Sequence, residues 1–132
     1  MSLLGLDVGT TGCKAVIFSE KGEILSQAYS EYDIQRPQPR FAELNTDTVW
    51  KKIKATIKEA THKTDTQIHA LSVASMGEAV VPVTQARAIL GPSILSFDIR
   101  GEEYVGWLRS SLAEERIYTI NGNPWGNQYG IT

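Results

Sequence analysis

A carboxylate, two hydroxyls and a lysine lie together near the start of the chain. The segment Gly5-Leu6-Asp7-Val8-Gly9-Thr10-Thr11-Gly12-Cys13-Lys14 is flanked by the apolar runs 3–4 and 15–18. The apolar runs predict two adjacent core strands, and Gly9 and Gly12 provide the backbone freedom that a tight connection between them requires. We therefore predict a hairpin whose tip carries the polar residues.

The tip favours phosphate binding. Its free backbone N–H groups, together with the hydroxyls of Thr10 and Thr11, form a concave donor surface for phosphate oxygens. Asp7 can hold hydrated Mg²⁺ against the phosphates, because Mg²⁺ keeps several waters and takes only one or two protein carboxylates, and Lys14 adds a positive charge. The pattern is neither G-x-x-x-x-G-K-[ST] nor G-x-G-x-x-G, since it joins strand to strand without opening a helix. A plain Gly/Thr hairpin is the alternative interpretation.

The composition excludes several classes of partner. The 132 residues are 42% hydrophobic and carry a formal net charge of −2, which suits one buried core and leaves no basic stripe for nucleic acid. No apolar run reaches the length of a membrane span, and the single cysteine, Cys13, cannot form an internal disulfide. We expect one cytoplasmic domain with no nucleic-acid or membrane partner, in which Cys13 is a small buried hydrophobe.

The elements that position the tip begin with a meander. Residues 24–29 predict a third strand after a turn at 20–23, so a three-strand antiparallel meander opens the domain. Two prolines in the segment 35–40 indicate an extended loop. A helix capped by Asn45 or Thr46 is expected next, packed on the sheet. Its inward face is predicted to contain Val49, Trp50, Ile53, Ile57 and Ala60.

The second half of the chain predicts short strands and helices. Segments 69–74, 79–83 and 94–97 are expected to be strands, the first of them buried, and 102–112 a helix with a further helical turn to about Ile120. The residues of this helix expected to face inward are Tyr104, Val105, Leu108 and Leu112. This order of elements predicts an α/β domain of ribonuclease-H-like type, with a mixed sheet and helices on its faces.

Five segments, in order across essentially the whole chain, resemble one known superfamily. The pattern D-x-G-T-T/S-x-x-K/R at Asp7 is similar to the first phosphate motif of the actin, Hsp70 and sugar-kinase superfamily. The other four resemble segments of the FGGY carbohydrate kinases, which include xylulokinase and glycerol kinase: the Glu43 and Trp50 pair, the turn 72–79, the segment 96–100 and the stretch from Thr119 to Tyr129.

The resemblance implies an actin-like ATPase fold and a kinase that transfers the γ-phosphate of MgATP to a sugar or polyol. It implies that Asp7 organises Mg²⁺ and that the ATP phosphates contact Gly9, Thr10, Thr11 and Lys14. The substrate-binding residues that it implies are Met76, Gly77, Glu78, Asp98 and Tyr129. A carboxylate such as Glu78 can accept two adjacent hydroxyls. The alternative roles are pairing of Asp98 with Arg100, an exposed turn for Glu78 and packing for Tyr129.

Departures from the family pattern leave the substrate open. Ser75 stands where the family commonly has Gln, Gly77 where it has a basic residue or His, and Ser96 where it has Trp. Such changes alter the hydrogen bonds that distinguish one sugar from another.

The resemblance also implies that much of the kinase lies elsewhere. The family's base Asp, second phosphate loop, adenine pocket and second domain come beyond Thr132, so residues 1–132 are expected to be an incomplete N-terminal kinase domain without activity of its own. A homodimer is among the expected states of the full-length protein. An actin- or Hsp70-like ATPase switch and a non-catalytic binding module of the same fold are the alternatives.

Overall fold

A computed structural model describes residues 1–122 of the chain. The strands are β1 (Ser2–Val8), β2 (Gly12–Ser19), β3 (Ile24–Glu31), β4 (Glu43–Leu44), β5 (Ile68–Ser75) and β6 (Ser93–Ile94), and the helices are α1 (Thr46–His62), α2 (Glu102–Ser111) and α3 (Glu114–Asn121).

The main sheet is mixed and has the strand order β3-β2-β1-β5. Neighbours β1 and β2 are antiparallel, as are β2 and β3, whereas β5 runs parallel to β1. A second, two-stranded sheet pairs β4 with β6. The α/β class with a mixed sheet is therefore confirmed. Among the described residues, no helix is both long and apolar enough to span a membrane.

Helix α1 begins at a side-chain cap. The Asn45 side chain accepts a hydrogen bond from the Thr48 N–H, with 2.9 Å between Oδ1 and N. This bond satisfies one of the backbone donors that the first helical turn leaves free. The predicted choice between Asn45 and Thr46 is thus settled in favour of Asn45.

Small buried residues let α1 lie close to strands β2 and β3. Ala15, Ala28 and Ala60 are each at most 5% exposed. The Ser26 hydroxyl donates to the Ala60 carbonyl at 2.7 Å, which joins the sheet directly to the helix backbone. The core contains these buried hydrophobic residues: Leu4, Leu6, Cys13, Ala15, Ile17, Ala28, Tyr32, Ala42, Leu44, Ile53, Ala60 and Leu95. The burial predicted for Cys13 is confirmed.

Two expectations about burial are wrong. Trp50 is 57% exposed, because the inward stripe of α1 runs through Ile53, Thr56 and Ala60 and the Trp50 ring instead lies beside Lys54. Strand β5 is exposed rather than buried. It lies at the edge of the described sheet while α1 packs over β2 and β3.

The expectations for residues 79–112 need correction too. Segment 79–83 forms only isolated bridges, with Val80 opposite Ile94 and Val83 opposite Ile89, because Pro82 has no N–H to donate to a strand ladder. The strand expected at 94–97 is shorter and ends at Ile94. Within α2 no residue is buried, and Tyr104 is 61% exposed. Leu112, expected to face inward, is exposed as well.

Candidate functional site

The predicted phosphate turn and the predicted sugar turn leave the sheet at the same edge. Strands β1 and β5 are parallel, and their last residues, Val8 and Ser75, are register partners. The Met76 N–H donates to the Val8 carbonyl at 2.9 Å. Because parallel strands end on the same side of a sheet, the turn at residues 9–12 and the segment 76–78 are neighbours. Two groups of residues far apart in sequence are therefore brought together.

Three of the four carbonyl groups of residues 9–12 accept hydrogen bonds from the protein. Gly9 N–H donates to the Gly12 carbonyl at 2.9 Å, and the Tyr32 hydroxyl lies 2.6 Å from the Gly9 carbonyl and 3.0 Å from the Gly12 carbonyl. The Tyr32 N–H donates to the Thr11 carbonyl at 3.1 Å. Within residues 1–122, the N–H groups of Thr10 and Thr11 have no partner. The turn therefore has donors available for an anion.

The glycines of the turn permit close approach. A Cβ on Gly12 would lie 2.4 Å from Tyr29 Oη and 2.8 Å from the Ser30 carbonyl oxygen, and one on Gly9 would lie 3.2 Å from the Gly12 carbonyl oxygen. Neither glycine has a positive φ. The requirement at Gly12 is thus space against β3, and not the left-handed conformation that often selects glycine in turns.

Asp7 and Lys14 face each other across β1 and β2. They are direct antiparallel partners and both are exposed. They border a shallow depression of about 250 Å³ on the sheet face opposite α1, which Ser72 and Ala74 of β5 also line. Among residues 1–122 the Asp7 carboxylate accepts no hydrogen bond, so its oxygens are free to coordinate a cation. A single carboxylate is what Mg²⁺ bound to phosphates and water requires of a protein.

A larger cavity is lined by two of the five predicted substrate residues, Glu78 and Asp98. Its volume is about 460 Å³, and Glu78, Ser96 and Asp98 line it together with Arg100 and Tyr104. Apolar walls come from Phe41, Val80, Ile94 and Leu95. A mostly apolar cavity with a few polar groups is typical of a small-molecule site. Glu78 and Asp98, which the sequence places 20 residues apart, therefore share one cavity.

The other predicted substrate residues lie elsewhere. Met76 packs against the core, half-buried, and a Cβ on the exposed Gly77 would meet no atom within 4 Å. Neither residue is among those lining the cavity. Tyr129 is outside the described residues. Ser96, one of the departures named from the sequence, is in the cavity wall.

The buried Asp98 forms an ion pair with the half-buried Arg100. Arg100 donates from Nε to Asp98 Oδ1 at 2.8 Å and from Nη2 to Oδ2 at 2.5 Å, and Asp98 Oδ2 also accepts from the Ala42 N–H at 2.7 Å. Arg100 Nη2 further donates to Glu43 Oε1 at 2.6 Å, and its guanidinium lies 3.9 Å from the centre of the Phe41 ring. The pairing of Asp98 with Arg100, which was the alternative to a substrate role, is therefore observed. A contact of Asp98 with the substrate stays a prediction.

This pairing controls the ionisation of both groups. Burial alone raises the pKa of Asp98, but hydrogen bonds from Arg100 and the Ala42 N–H outweigh it and lower that pKa to about 2. The hydrogen bond to Asp98 raises the pKa of Arg100 above its usual value. Asp98 is therefore a fixed anion at neutral pH and is unsuited to act as a general base.

Glu78 differs from Asp98 because its backbone is strained and its side chain is exposed. Its φ is 57°, in the left-handed region that a residue with a Cβ seldom adopts. Such strain is concentrated at functional sites. The side chain borders the cavity, so Glu78 can present its carboxyl oxygens to a ligand.

Sequence reasoning missed Tyr32, which contacts the turn from β3. The pairing register of the three-strand meander could have indicated this contact. With Gly12 opposite Glu31, the residue after the third strand must lie beside the turn. Tyr32 is 7% exposed, and burial raises its pKa to about 12, with smaller contributions from Cys13, Asp7 and Tyr29. Its hydroxyl therefore stays protonated and able to donate.

Known proteins similar to the chain are carbohydrate kinases. The gluconokinase of Bacillus licheniformis is 29% identical over 123 residues, which are 92% of this chain and 24% of that protein. The solved xylulose kinase of Rhodospirillum rubrum superposes with a TM-score of 0.88 at 27% identity, covering 97% of this chain and 27% of that one. A gluconate kinase structure from Lactobacillus acidophilus gives a TM-score of 0.89 at 23% identity, covering 96% and 26%.

The chain spans about a quarter of the length of these relatives. The sequence profile of the FGGY family of carbohydrate kinases, N-terminal domain, matches residues 2–131. This match covers both the donor turn and the cavity. The chain belongs to the FGGY family of carbohydrate kinases.

Proposed function

We propose that residues 1–132 are an incomplete N-terminal domain of an ATP-dependent kinase that phosphorylates a hydroxyl of a sugar or polyol. One observation carries the proposal: the segment 76–78, which leads to the cavity, leaves the sheet beside the donor turn, joined to it by the bond from Met76 N–H to the Val8 carbonyl. A phosphate donor and a hydroxyl acceptor held at these two places would be neighbours, as phosphoryl transfer requires.

The turn suits the phosphates of ATP. The N–H groups of Thr10 and Thr11 are available, and Lys14 is exposed and pairs with Asp7 in the register. These groups would bind and orient the phosphate oxygens. Such positioning and charge stabilisation account for most of the catalysis in phosphoryl transfer.

Asp7 would hold the Mg²⁺ of MgATP. Within residues 1–122 there is no group of three or more His, Cys, Asp or Glu residues able to bind a metal by themselves. A metal bound here therefore needs the phosphates and water as further ligands, which is how Mg²⁺ is usually held. When bound, Mg²⁺ supplies neutralisation of the phosphate charge.

The cavity would hold the acceptor. Glu78 would accept hydrogen bonds from substrate hydroxyls. The ion pair of Asp98 and Arg100 would hold its part of the cavity wall in place. Because both Asp98 oxygens accept hydrogen bonds from Ala42 and Arg100, the base that takes the hydroxyl proton is proposed to come from outside residues 1–132. The partners are proposed to be ATP and a small sugar or polyol, in the cytoplasm, without nucleic acid or membrane. A homodimer of the full protein stays a prediction.

The test is ADP release by the complete protein that contains these residues. It is incubated with MgATP and, in turn, with gluconate, xylulose and glycerol, the substrates named for similar kinases. We expect one of these or a related polyol to stimulate ADP release. Asp7→Ala should abolish the stimulation, whereas Asp65→Ala, which removes an exposed carboxylate in the loop before β5, should retain it.

Two results would contradict the proposal. One is no stimulation of ADP release by any sugar or polyol of a wide panel. The other is undiminished turnover in the Asp7→Ala protein. The isolated chain of residues 1–132 should give no sugar-dependent ADP release, and release by it would show that the domain is not incomplete.

A further inference from the structure

Tyr32 contacts the phosphate turn through hydrogen bonds to three of its carbonyl groups. It follows β3 directly, and it contributes both a backbone and a side-chain donor to the turn. Its ring is part of the hydrophobic core. The ring is therefore fixed by packing while the hydroxyl reaches the backbone of residues 9 and 12.

The hydrogen bonds of Tyr32 go to carbonyl groups of the turn and, within residues 1–122, leave the N–H groups of Thr10 and Thr11 free. Its hydroxyl has one proton, which is shared between the Gly9 carbonyl at 2.6 Å and the Gly12 carbonyl at 3.0 Å, and its N–H donates to the Thr11 carbonyl. Three of the four carbonyl groups between residues 9 and 12 are thus bonded to one residue. A carbonyl oxygen that faced the ligand would repel a phosphate. Hydrogen bonds that hold these oxygens toward Tyr32 therefore favour anion binding.

We propose that Tyr32 is a positioning residue, which keeps the carbonyl groups of the turn away from the nucleotide and thereby presents the N–H groups of Thr10 and Thr11 to its phosphates. The inference rests on the proposed function for the identity of the anion. The part that concerns the turn itself rests only on the contacts of Tyr32.

The experiment compares two substitutions that each delete one buried hydroxyl. Tyr32→Phe keeps the ring and removes the donor to the turn. Ser26→Ala removes a hydroxyl of the same core, which donates to the Ala60 carbonyl at 2.7 Å and has no contact with the turn. Both variants of the complete protein are compared with the unchanged protein by thermal unfolding, by amide hydrogen exchange of a peptide that covers residues 9–12, and by calorimetric titration with MgATP.

We expect both variants to unfold at lower temperature, because each loses a buried hydrogen bond. Only Tyr32→Phe should speed amide exchange in residues 9–12. Only Tyr32→Phe should raise the dissociation constant for MgATP, by a factor of about 3 to 10, which corresponds to the loss of one hydrogen bond. The KM for the sugar should change less than the KM for ATP.

Unchanged exchange at residues 9–12 in Tyr32→Phe would overturn the inference. So would faster exchange with unchanged MgATP affinity, since the turn would then not need Tyr32 to bind phosphate. An equal loss of MgATP affinity in Ser26→Ala would show a general effect of stability and would also overturn it. Failure of the unchanged protein to bind MgATP would instead contradict the proposed function, and the exchange data would still report whether Tyr32 holds the turn.

Discussion

Arg100 donates a hydrogen bond to Glu43 at 2.6 Å and so joins two segments that lie 57 residues apart in the chain. The same guanidinium binds Asp98, so one cation is shared by two carboxylates. Of the two, Asp98 lines the candidate sugar cavity, as does Arg100 itself. Glu43 belongs to β4, beside the loop that precedes α1, and Asp98 follows β6. Arg100 therefore links β4 to the segment that follows β6.

Removal of Arg100 should destabilise the fold strongly. Arg100→Ala leaves the buried Asp98 carboxylate without its cation, and breaking a buried pair in this way costs about 3–5 kcal/mol. Arg36→Ala is the matched control, since Arg36 is exposed and its guanidinium lies 5.7 Å from the Phe97 ring. We expect that control to lose about 1 kcal/mol or less. Urea unfolding measures both, and similar midpoints for the two variants would contradict the role given to Arg100.

Much of the sheet could be predicted from the sequence, because its strands are alternating or apolar runs bounded by glycine turns. The opening strands, the cap at Asn45 and the buried Cys13 all follow from local pattern. Burial in β5 could not be predicted in this way. Its apolar residues are typical of a core strand, but burial depends on which elements cover the strand. Helix α1 lies over β2 and β3 instead, and β5 is exposed.

The position of the candidate phosphate turn could be predicted from the sequence, whereas the grouping of residues around the cavity could be predicted only in part. Asp7, Thr10 and Thr11 lie within five residues of the sequence, so local pattern was enough to place them at one turn, while their binding of phosphate and metal stays a prediction. Glu78 and Asp98 meet only because segment 76–78 leaves the sheet edge and residue 98 follows β6. The pairing of Arg100 with Glu43 depends on the contact between β4 and β6, whose two-residue length gives no periodicity to detect.

Asp98 should make the fold sensitive to acid. Its pKa of about 2 in the folded protein lies below the unfolded value near 3.9. The ionised carboxylate therefore contributes about 2–3 kcal/mol of stability above pH 4, and that contribution is lost as the pH falls toward 2. Asp98→Asn should be less stable at pH 7 and should show a flatter decline between pH 4 and pH 2. Parallel stability curves for the two proteins in this range would contradict the assignment.

Replacing the strained Glu78 should change stability and substrate binding in opposite directions. Glycine tolerates the positive φ that Glu78 adopts, so Glu78→Gly should raise the free energy of unfolding by about 1 kcal/mol while raising the KM for the sugar. Arg87→Gly is the matched control, because Arg87 has a φ of 65° and lies outside the cavity lining. It should gain similar stability without a change in KM. A loss of stability in Glu78→Gly, or an unchanged KM, would contradict the expectation.

Two glycines should respond in opposite ways to replacement by alanine. At Gly12 the new Cβ would lie 2.8 Å from the Ser30 carbonyl oxygen and 2.4 Å from Tyr29 Oη, so strands or side chains must shift and the cost is about 1–3 kcal/mol. At Gly106, within α2, a Cβ meets no atom within 4 Å, and alanine should stabilise the helix by up to about 1 kcal/mol. Thermal unfolding of both variants checks the contrast, which equal shifts would contradict.

Tyr32 should make the fold sensitive to alkali. Burial raises the pKa of Tyr32 from 10.0 to about 12, so between these values the unfolded chain has lost the phenol proton while the folded protein keeps it. The hydroxyl therefore contributes stability that is complete below pH 10 and is lost as the pH rises toward 12. The stability difference between the unchanged protein and Tyr32→Phe should shrink across this range. Since other tyrosines and lysines titrate in both proteins, that difference isolates Tyr32. Urea unfolding at several pH values between 9 and 12 measures it, and a constant difference would show that the fold does not raise the pKa of Tyr32.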